Sequence, residues 1–348
     1  MAPIYATLED TKRALDVAET ARSDDQVLRA LESGSRSIES LTHRRFYPLL
    51  ATRYFDWPNR QYARPWRLWL DDQELISVTT LLAGGVTIPS TDYFLEPANT
   101  GPPYTRIEID LSSGSAFASG ATYQRAVVVT GLFGHSADEA PAGALAAAVD
   151  NSQTTVNVTD SSLIDVGTIV RAGDERMIVT GRGMLDTGQT IAGYTLTASS
   201  SDVNLDPITA GTLHVGEVLL VGSERMLVVD VAGASVTVRR AWDGSVLDVH
   251  NSGAPIYALR TLQVERGALG TTAAAHADTT PLAKHVVPPL VRDLTIAEAI
   301  NQLQMETSGY ARVIGEGDNA RDGTGRSLYQ LRKDVVAAFG RQVRSRAV

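Results

Sequence analysis

The sequence predicts an α+β protein: a small antiparallel helical bundle with an associated β-sheet region, plus an inserted all-β domain of two repeated modules. Three observations predict it. Apolar residues recur at helical spacing near both ends of the chain. Between them, short alternating segments separated by Gly-, Asp- and Ser-rich turns have the period of strands. Within the strand-rich part, two sequence elements each occur twice.

The helical part begins at Thr7, whose spacing to Asp10 is that of a helix start, and runs through Leu8, Leu15 and Val17. Ser23 and Gln26 form a second capping box, with Asp24 and Asp25 at the positive end of the helix dipole. Val27, Leu31, Ile38 and Leu41 then form an apolar stripe, widened by Leu28. Ala30, Gly34 and Ser37 are small, which permits a close neighbour. The helix leaves through Thr42-His43-Arg44-Arg45-Phe46-Tyr47-Pro48, and Pro48 prevents its continuation. So polar a helix does not stand alone, and its stripe needs partners.

After Pro48 the period changes to two. Arg53–Trp57, Trp66–Leu70, Asp92–Glu96, Arg106–Leu111 and Gln124–Thr130 are expected strands, and Leu75–Leu82 with Val86–Ile88 flank a hairpin turn at Ala83-Gly84-Gly85. The last strand is closed by Gly131-Leu132-Phe133-Gly134. Ala137–Ala148, small and Ala-rich with Pro141, suits a linker or short helix. Seven short strands follow, at Thr154–Thr159, Thr168–Arg171, Arg176–Thr180, Tyr194–Ala198, Glu217–Val221, Arg225–Val231 and Ser235–Arg239. Val286-Val287-Pro288-Pro289 marks the return to helix, with Leu290, Leu294, Ala297, Ile300 and Leu303 as its stripe. Gly315–Gly325 has the composition of a flexible linker. Ser327–Phe339 is a last amphipathic helix with a basic end.

The repeats lie in the β region. Residues 165–179 match 214–228 through Val-Gly, Gly and Glu-Arg-Met, and residues 238–250 match 264–276 through Val-x-Arg, Gly and His. Both copies of the first element precede both copies of the second. The order predicts two modules, one nested inside the other, the outer from Thr154 to Leu282 and the inner from Tyr194 to Tyr257. The expected divisions are 1–136 (two helices, then strands), 137–285 (the insert), 286–314 (returning helix), 315–325 (linker) and 326–348 (basic terminal arm).

Composition excludes several functions. The chain has 348 residues and a formal net charge of −9, so its whole surface is not a nucleic-acid footprint. The charge is uneven, with +5 over 326–348 and −14 over the rest. Without cysteine there are no disulfides or thiolate metal sites. Glu9, Asp10, Lys12 and Arg13 interrupt any signal peptide, and no apolar run approaches the roughly 18 residues of a membrane span. The six histidines lack the spacing of a helical zinc site. His250 and His276 occupy equivalent repeat positions near Asp248 and Asp278, which suits either a metal site or turn histidines bonding backbone. No nucleophile elbow, phosphate-cradling loop or calcium loop is present, and acidic pairs such as Asp71-Asp72 read as turns. The chain is therefore expected to be no enzyme, with no cofactor and no metal. The aromatic residues Phe46, Tyr47, Tyr54, Phe55, Trp57, Tyr62, Trp66 and Trp69, flanked by Arg44, Arg45, Arg53, Arg60, Arg64 and Arg67, read mainly as core rather than as a base-stacking surface.

The segments Thr7–Val17, Leu41-Thr42-His43-Arg44-Arg45-Phe46-Tyr47-Pro48, Leu68-Trp69-Leu70-Asp71-Asp72, Leu75-Ile76-Ser77-Val78-Thr79, Asp92-Tyr93-Phe94-Leu95-Glu96-Pro97 and Val127-Val128-Val129-Thr130-Gly131-Leu132-Phe133-Gly134 occur in this order. The combination resembles the head-to-tail connector, or adaptor, family of long-tailed double-stranded DNA bacteriophages. The likeness covers roughly 1–136 and 286–348. It leaves 137–285 as an insert similar to small β modules of phage structural proteins. The family's Pro-initiated helix is matched at Val287-Pro288-Pro289-Leu290, beyond the insert.

The resemblance implies a virion protein of the neck, at the head–tail interface, assembled in the host cytoplasm. Its copies would form a ring, typically of twelve, through the helices. The ring would dock on the portal, extend the DNA channel without sequence-specific binding, and offer a platform to a stopper or tail-completion protein, with no membrane involved. The terminal arm would dock on a partner, with Leu328, Tyr329, Leu331, Val335 and Phe339 as its apolar face. Arg332, Lys333, Arg341, Arg344 and Arg346 would be its charges. The competing reading is a surface or tail decoration binding host carbohydrate through the β modules, with Trp242, Tyr194 and Tyr257 as stacking residues. A tail-associated hydrolase would need converging acids or a metal, and the sequence offers neither.

Overall fold

A computed structural model describes residues 3–15, 24–58, 64–307, 313–314, 321–322 and 326–341. The described residues form four helices: α1 (Leu8–Ala14), α2 (Asp24–Thr42), α3 (Pro289–Thr307) and α4 (Arg326–Phe339). The Thr7 hydroxyl accepts the Asp10 N–H at 3.2 Å and the Asp10 carboxylate accepts the Thr7 N–H at 3.4 Å, so the first capping box closes as its spacing predicts. Ser23, Val17 and most of the Gly315–Gly325 linker lie outside the described residues.

The expected helical bundle is not what these helices build. Of the described residues 36% are in strands or bridges and 22% in helices, and the fold is predominantly antiparallel β. The reason lies in the size of the helix faces. Ala30 and Leu31 of α2 meet Ala299 and Leu303 of α3, and Gly34 lets the Thr295 carbonyl and the Glu298 side chain approach to where a Cβ would sit 3.2 and 3.3 Å away. So small a seam buries little apolar area, and Ile4, Leu8 and Val166 complete it. Val166 comes from the repeat region. Helical periodicity reports that a face is covered, not that a helix covers it.

The chain divides into two units. One comprises Ile38–Asp138, Leu269–Thr271 and Asp334–Val348. Its strands are β1 (Leu49–Phe55), β2 (Arg67–Trp69), β3 (Leu75–Ala83), β4 (Val86–Thr87), β5 (Tyr93–Glu96), β6 (Arg106–Ile109) and β7 (Val127–Phe133). They form a four-stranded sheet in the order β1-β7-β3-β4 and a three-stranded sheet in the order β2-β6-β5. Alternate residues Val127, Val129 and Phe133 share one core with Leu75, Leu81, Leu68, Ile107 and Ile109. The Ala83-Gly84-Gly85 hairpin forms as expected, with Ala83 opposite Val86. β7 does not close at Gly131 but runs on to Phe133. Gly131 is needed there for close approach rather than for a turn, because a Cβ would lie 2.1 Å from the Ser77 carbonyl oxygen of β3.

The other unit comprises Met1–Ser37, Glu139–Ala268 and Thr272–Lys333. Its strands are β8 (Glu139–Ala144), β9 (Thr155–Asn157), β10 (Ile169–Ala172), β11 (Glu175–Thr190), β12 (Asn204–Leu205), β13 (Val218–Val221), β14 (Glu224–Ala232), β15 (Ser235–Arg239), β16 (Pro255–Glu265), β17 (Pro281–His285), β18 (Val313–Ile314) and β19 (Arg321–Asp322). The last two pair only with each other. The rest form one ten-stranded sheet. Ala137–Ala148 is neither linker nor helix, since β8 lies within it and pairs with β17. β8 is an edge strand, where Pro141 costs no hydrogen bond. Tyr194–Ala198 is not a strand either; it contributes a single bridge from Leu196 to His250.

The two modules repeat residue pair by residue pair. Ile169 lies opposite Ile178 in β10–β11, as Val218 lies opposite Leu227 in β13–β14. Val156 opposite Leu262 corresponds to Leu205 opposite Val236. Even a bulge recurs, between Val179 and Gly181 in one copy and Val228 and Asp230 in the other. Leu262–Leu282 pairs with Thr154–Val179 through β16 and β17, so one module encloses the other. The inner module interrupts the β11–β16 hairpin, entering after Thr190 and leaving at Pro255, which are themselves paired. Each module keeps its own core: Val156, Val170, Met177, Val179 and Leu262 outside, Leu205, Leu219, Met226, Val228 and Val236 inside. Among the described residues no helix is long and apolar enough to cross a membrane.

The inner hairpin β14–β15 ends in a turn at Gly233, where nothing lies within 4 Å of a built Cβ. This turn is the counterpart of the place where the outer hairpin accommodates a whole module. A small folded domain with adjacent termini, inserted at Gly233, is expected to cost no more than about 1 kcal/mol, the scale of loop closure. The same insertion after Gly173, beside the buried Glu175, is expected to prevent folding. Thermal melts of the two fusions decide between these outcomes.

Candidate functional site

The terminal helix α4 carries the residues singled out for docking. Leu328 and Val335, seven apart, are buried, and Leu331 and Phe339 are half-buried. Phe339 sets its ring edge-on to Phe46 at 5.4 Å and to His135 at 5.4 Å. Arg332 makes a two-pronged ion pair with Glu298 at 2.6 and 2.7 Å. Arg341 donates to the Asp72 carboxylate at 2.8 Å and to the Asp72 carbonyl at 2.6 Å. Tyr329 is 61% exposed, and the Lys333 ammonium lies 4.7 Å from its ring centroid. Arg344 and Arg346 lie outside the described residues. The apolar stripe of α4 is therefore turned inward, and its outward face is Tyr329 with Lys333.

His135, against which Phe339 packs, is held neutral. Burial pushes its pKa down to about 4, the nearby Arg44 guanidinium adds to the effect, and Asp138 opposes it. Arg44 approaches the ring nitrogen Nδ1 at 3.2 Å.

The repeat supplies the most concentrated chemistry. The Glu of each Glu-Arg-Met element is buried, and the second repeated element closes around it. Glu175 accepts from Arg266 at 2.7 and 2.8 Å, from the N–H groups of Gly267 and Ala274 at 2.9 and 3.0 Å, and contacts His276 Nε2 at 2.8 Å. Glu224 accepts from Arg240 at 2.7 and 2.7 Å, from Ala241 and Asp248 N–H at 2.8 and 3.1 Å, and contacts His250 Nε2 at 2.9 Å. Each arginine spends its remaining donors on carbonyls, Arg266 on Asp150, Gln153 and Ala274, Arg240 on Thr197, Asp202 and Asp248. Burial alone would raise both carboxyl pKa values, but the guanidinium, the backbone N–H groups and the histidine outweigh it and hold each at about 2. His250 and His276 thus bond buried carboxylates through Nε2, where the sequence suggested turn histidines bonding backbone.

The loops that bring these groups in share their backbone. Ala241 and Gly267 have φ of 52° and 58°, Asp243 and Leu269 have 56° and 55°, and Gly244 and Gly270 have 72° and 81°. These left-handed residues turn the chain just after each arginine, so that the N–H of Ala241 or Gly267 reaches the same carboxylate as the preceding guanidinium, and Asp248 or Ala274 returns to it seven residues later. The inner copy holds Ala241 in this region, at a cost that glycine avoids in the outer copy.

Asp160, His214 and Glu217 place one potential ligand atom each within 4.8 Å of one another. Both Glu217 oxygens are already occupied, by Arg260 at 2.8 and 2.8 Å, by Ser161 and by the His214 N–H at 2.9 Å. Trp242, proposed as a sugar platform, is 3% exposed and packs on Val218 and Leu227. The Tyr194 hydroxyl is tied to the Asn204 carbonyl at 2.6 Å. In the aromatic cluster, Arg67 lies over Trp66 at 4.9 Å and Trp69 at 5.7 Å, and Arg106 over Trp69 at 5.4 Å, with Glu108 binding both arginines. These guanidinium groups are committed to rings and a carboxylate.

Sequence reasoning saw the repeat but not that its two elements meet on one carboxylate. The signal was the identical Glu in one element together with the identical Arg and His in the other. Comparison with protein-family models, curated proteins and solved structures gave no match to this chain.

Replacing Glu224 by Gln leaves Arg240 buried without a counter-charge and is expected to cost about 3–5 kcal/mol in denaturant unfolding. A loss under about 1 kcal/mol would show that the node is not structural. Because both carboxyl pKa values are depressed, this contribution is full above the unfolded carboxyl value and is lost as pH falls through about 2. His135 works in the opposite charge sense. Its stabilisation is full above the unfolded histidine value near 6.5 and is lost as pH falls toward about 4. NMR titration of its ring protons is expected to show a midpoint near 4, whereas a midpoint near 6.5 would mean a solvated ring.

Proposed function

We propose that the chain is a structural protein of a long-tailed double-stranded DNA bacteriophage, a head-to-tail adaptor of the virion neck. In this reading copies of the chain form a ring, twelve in the family it resembles. The ring docks on the portal, extends the DNA channel and presents a platform to the stopper or tail-completion protein.

The observation that carries the reading is that those of the resembling segments that lie within 41–134 pack together in one unit. His135, just after the Val-Thr-Gly strand, donates its N–H to the Arg45 carbonyl at 2.9 Å. A Cβ on Gly134 would lie 2.3 Å from the Tyr47 carbonyl oxygen, so the two segments touch at backbone distance. β1, which follows Pro48, pairs with β7 along its whole length. The motifs within 41–134 are thus mutual neighbours, as parts of one shared module would be, whereas the Thr7 segment and Val287-Pro288-Pro289-Leu290 belong to the other unit. The net charge of −9 suits a conduit, since a basic channel would hold phosphates by releasing their counterions. Because the fold is predominantly β, the reading does not assign the ring contacts to helices alone.

The test is an amber codon early in this reading frame in the phage that carries it, with lysates viewed by electron microscopy. Filled or leaking heads beside free, finished tails are the expected outcome. Intact tailed particles that fail to adsorb would discard the adaptor reading in favour of a host-binding decoration.

A further inference from the structure

The two modules differ at one place in a way their shared register makes plain. In the inner module, β13 pairs with β16 so that Leu219 faces Ala258. In the outer module, β10 pairs with β17 so that Val170 faces Lys284. Lys284 therefore stands where the inner module has Ala258, which is 0% exposed. Two positions on, Val286 stands where the inner module has Arg260. Thr168 stands where it has Glu217.

In the inner module Glu217 and Arg260 fill this place with a buried ion pair. The outer module has neither partner. Thr168 keeps only one of the bonds, accepting the Asp165 N–H at 3.1 Å as Glu217 accepts the His214 N–H at 2.9 Å. A cavity of about 130 Å3 opens beside it, lined by Ile4, Leu163, Ile169, Val286, Val287 and Lys284 among others. Gly167 lines it too, and the Ile4 side chain packs where its Cβ would be.

The charges at this cleft are Lys284, Arg292 and Asp10. Among the described residues the Lys284 ammonium has no hydrogen bond or ion pair, and Arg292 reaches only the neighbouring Asp293 at 3.5 Å. Burial lowers the Lys284 pKa; Asp10 and Asp160 oppose this and Arg292 adds to it. Asp10 is spent on capping α1. The cleft thus has an apolar floor, a lysine ammonium without a direct partner among the described residues, and the vacant position of a carboxylate that the sister module holds in place.

We infer that this cleft binds a carboxylate on a short apolar stem, seated beside Thr168 and Lys284 where the inner module carries Glu217. The volume fits about four waters, or a small acid of similar size. A carboxylate answers the geometry better than phosphate, because one ammonium and an apolar floor do not repay the desolvation of a dianion. The acid is either a free short-chain carboxylate or the carboxyl end of a peptide, and the experiment separates them.

The full chain is titrated by NMR or thermal shift with butyrate, with inorganic phosphate, with an acetylated tripeptide ending in valine, and with the same tripeptide amidated. Saturable binding of butyrate or of the free-ended tripeptide is expected, with no binding of the amide. Butyrate alone identifies a free acid, and the tripeptide alone identifies a chain end. Lys284→Ala, which installs the residue the inner module uses, is expected to weaken binding by about tenfold or more while folding is retained. Thr168→Glu supplies the carboxylate from within and is expected to abolish binding without lowering the melting midpoint. Absence of saturable binding by either acid, phosphate binding more tightly than both, or unchanged affinity in Lys284→Ala would each overturn the inference.

Discussion

A carboxylate taken out of water must be answered on every side, and the repeated part of this protein is arranged around that requirement. Glu175 and Glu224 each lie at the start of a strand, β11 and β14, and are buried. Neither is tolerable there until a guanidinium, two backbone N–H groups and an imidazole converge on it. That convergence fixes the loops after β15 and β16, including their left-handed residues. The loops in turn close the ends of both cores, since His250 bridges Leu196 and His276 bridges Val149. A hydrophobic core of Val, Leu and Ala specifies volume but not register. The carboxylate specifies register, because one residue's slip would leave both the Glu and the Arg unpaired.

The same logic explains why α1 belongs with the β modules. Arg182 reaches Glu9 at 3.0 Å and Asp165 at 2.8 Å, and Lys12 reaches Asp24 at 2.7 Å and Asp243 at 2.9 Å. Asp165 is the first residue of the outer repeat, and the inner copy has His214 there instead. The helix also reaches the inner copy's turn, through the Arg13 guanidinium, which donates to the Gly216 carbonyl at 3.2 Å.

Local features were legible in the sequence where the cause is local. The Thr7–Asp10 box and the Gly84-Gly85 hairpin depend on residues a few positions apart and appear; the α2 stripe is buried at Val27, Leu31 and Ile38 but not at Leu41, and on α3 Leu294 and Leu303 are buried while Leu290 is exposed and Val291 and Ala299 complete the covered face. The nesting was legible because two elements each occur twice in an order only nesting explains. What covers each helix was not legible, because Val166 and Ile4 meet α2 from distant parts of the chain. β8 was missed because Ala-rich sequence around Pro141 has weak strand propensity, and only the edge position of the strand makes it acceptable. At the terminal helix the apolar face could be read, but not its occupation by Phe46 and His135. The pairing of Arg332 with Glu298, 34 residues away, carries no sequence signature.

The nested layout also orders events during synthesis. Glu224 meets Arg240 after only 16 residues, whereas Glu175 waits 91 residues for Arg266. As the chain leaves the ribosome, the inner module has all its parts while the outer one is still half made, its first strands without β17 and its carboxylate without a counter-ion. Short-range closure is also the faster process. The inner module therefore serves as a folded clamp that brings β11 and the later half of β16 side by side. A long-range pairing that would be slow in an open chain becomes a local one.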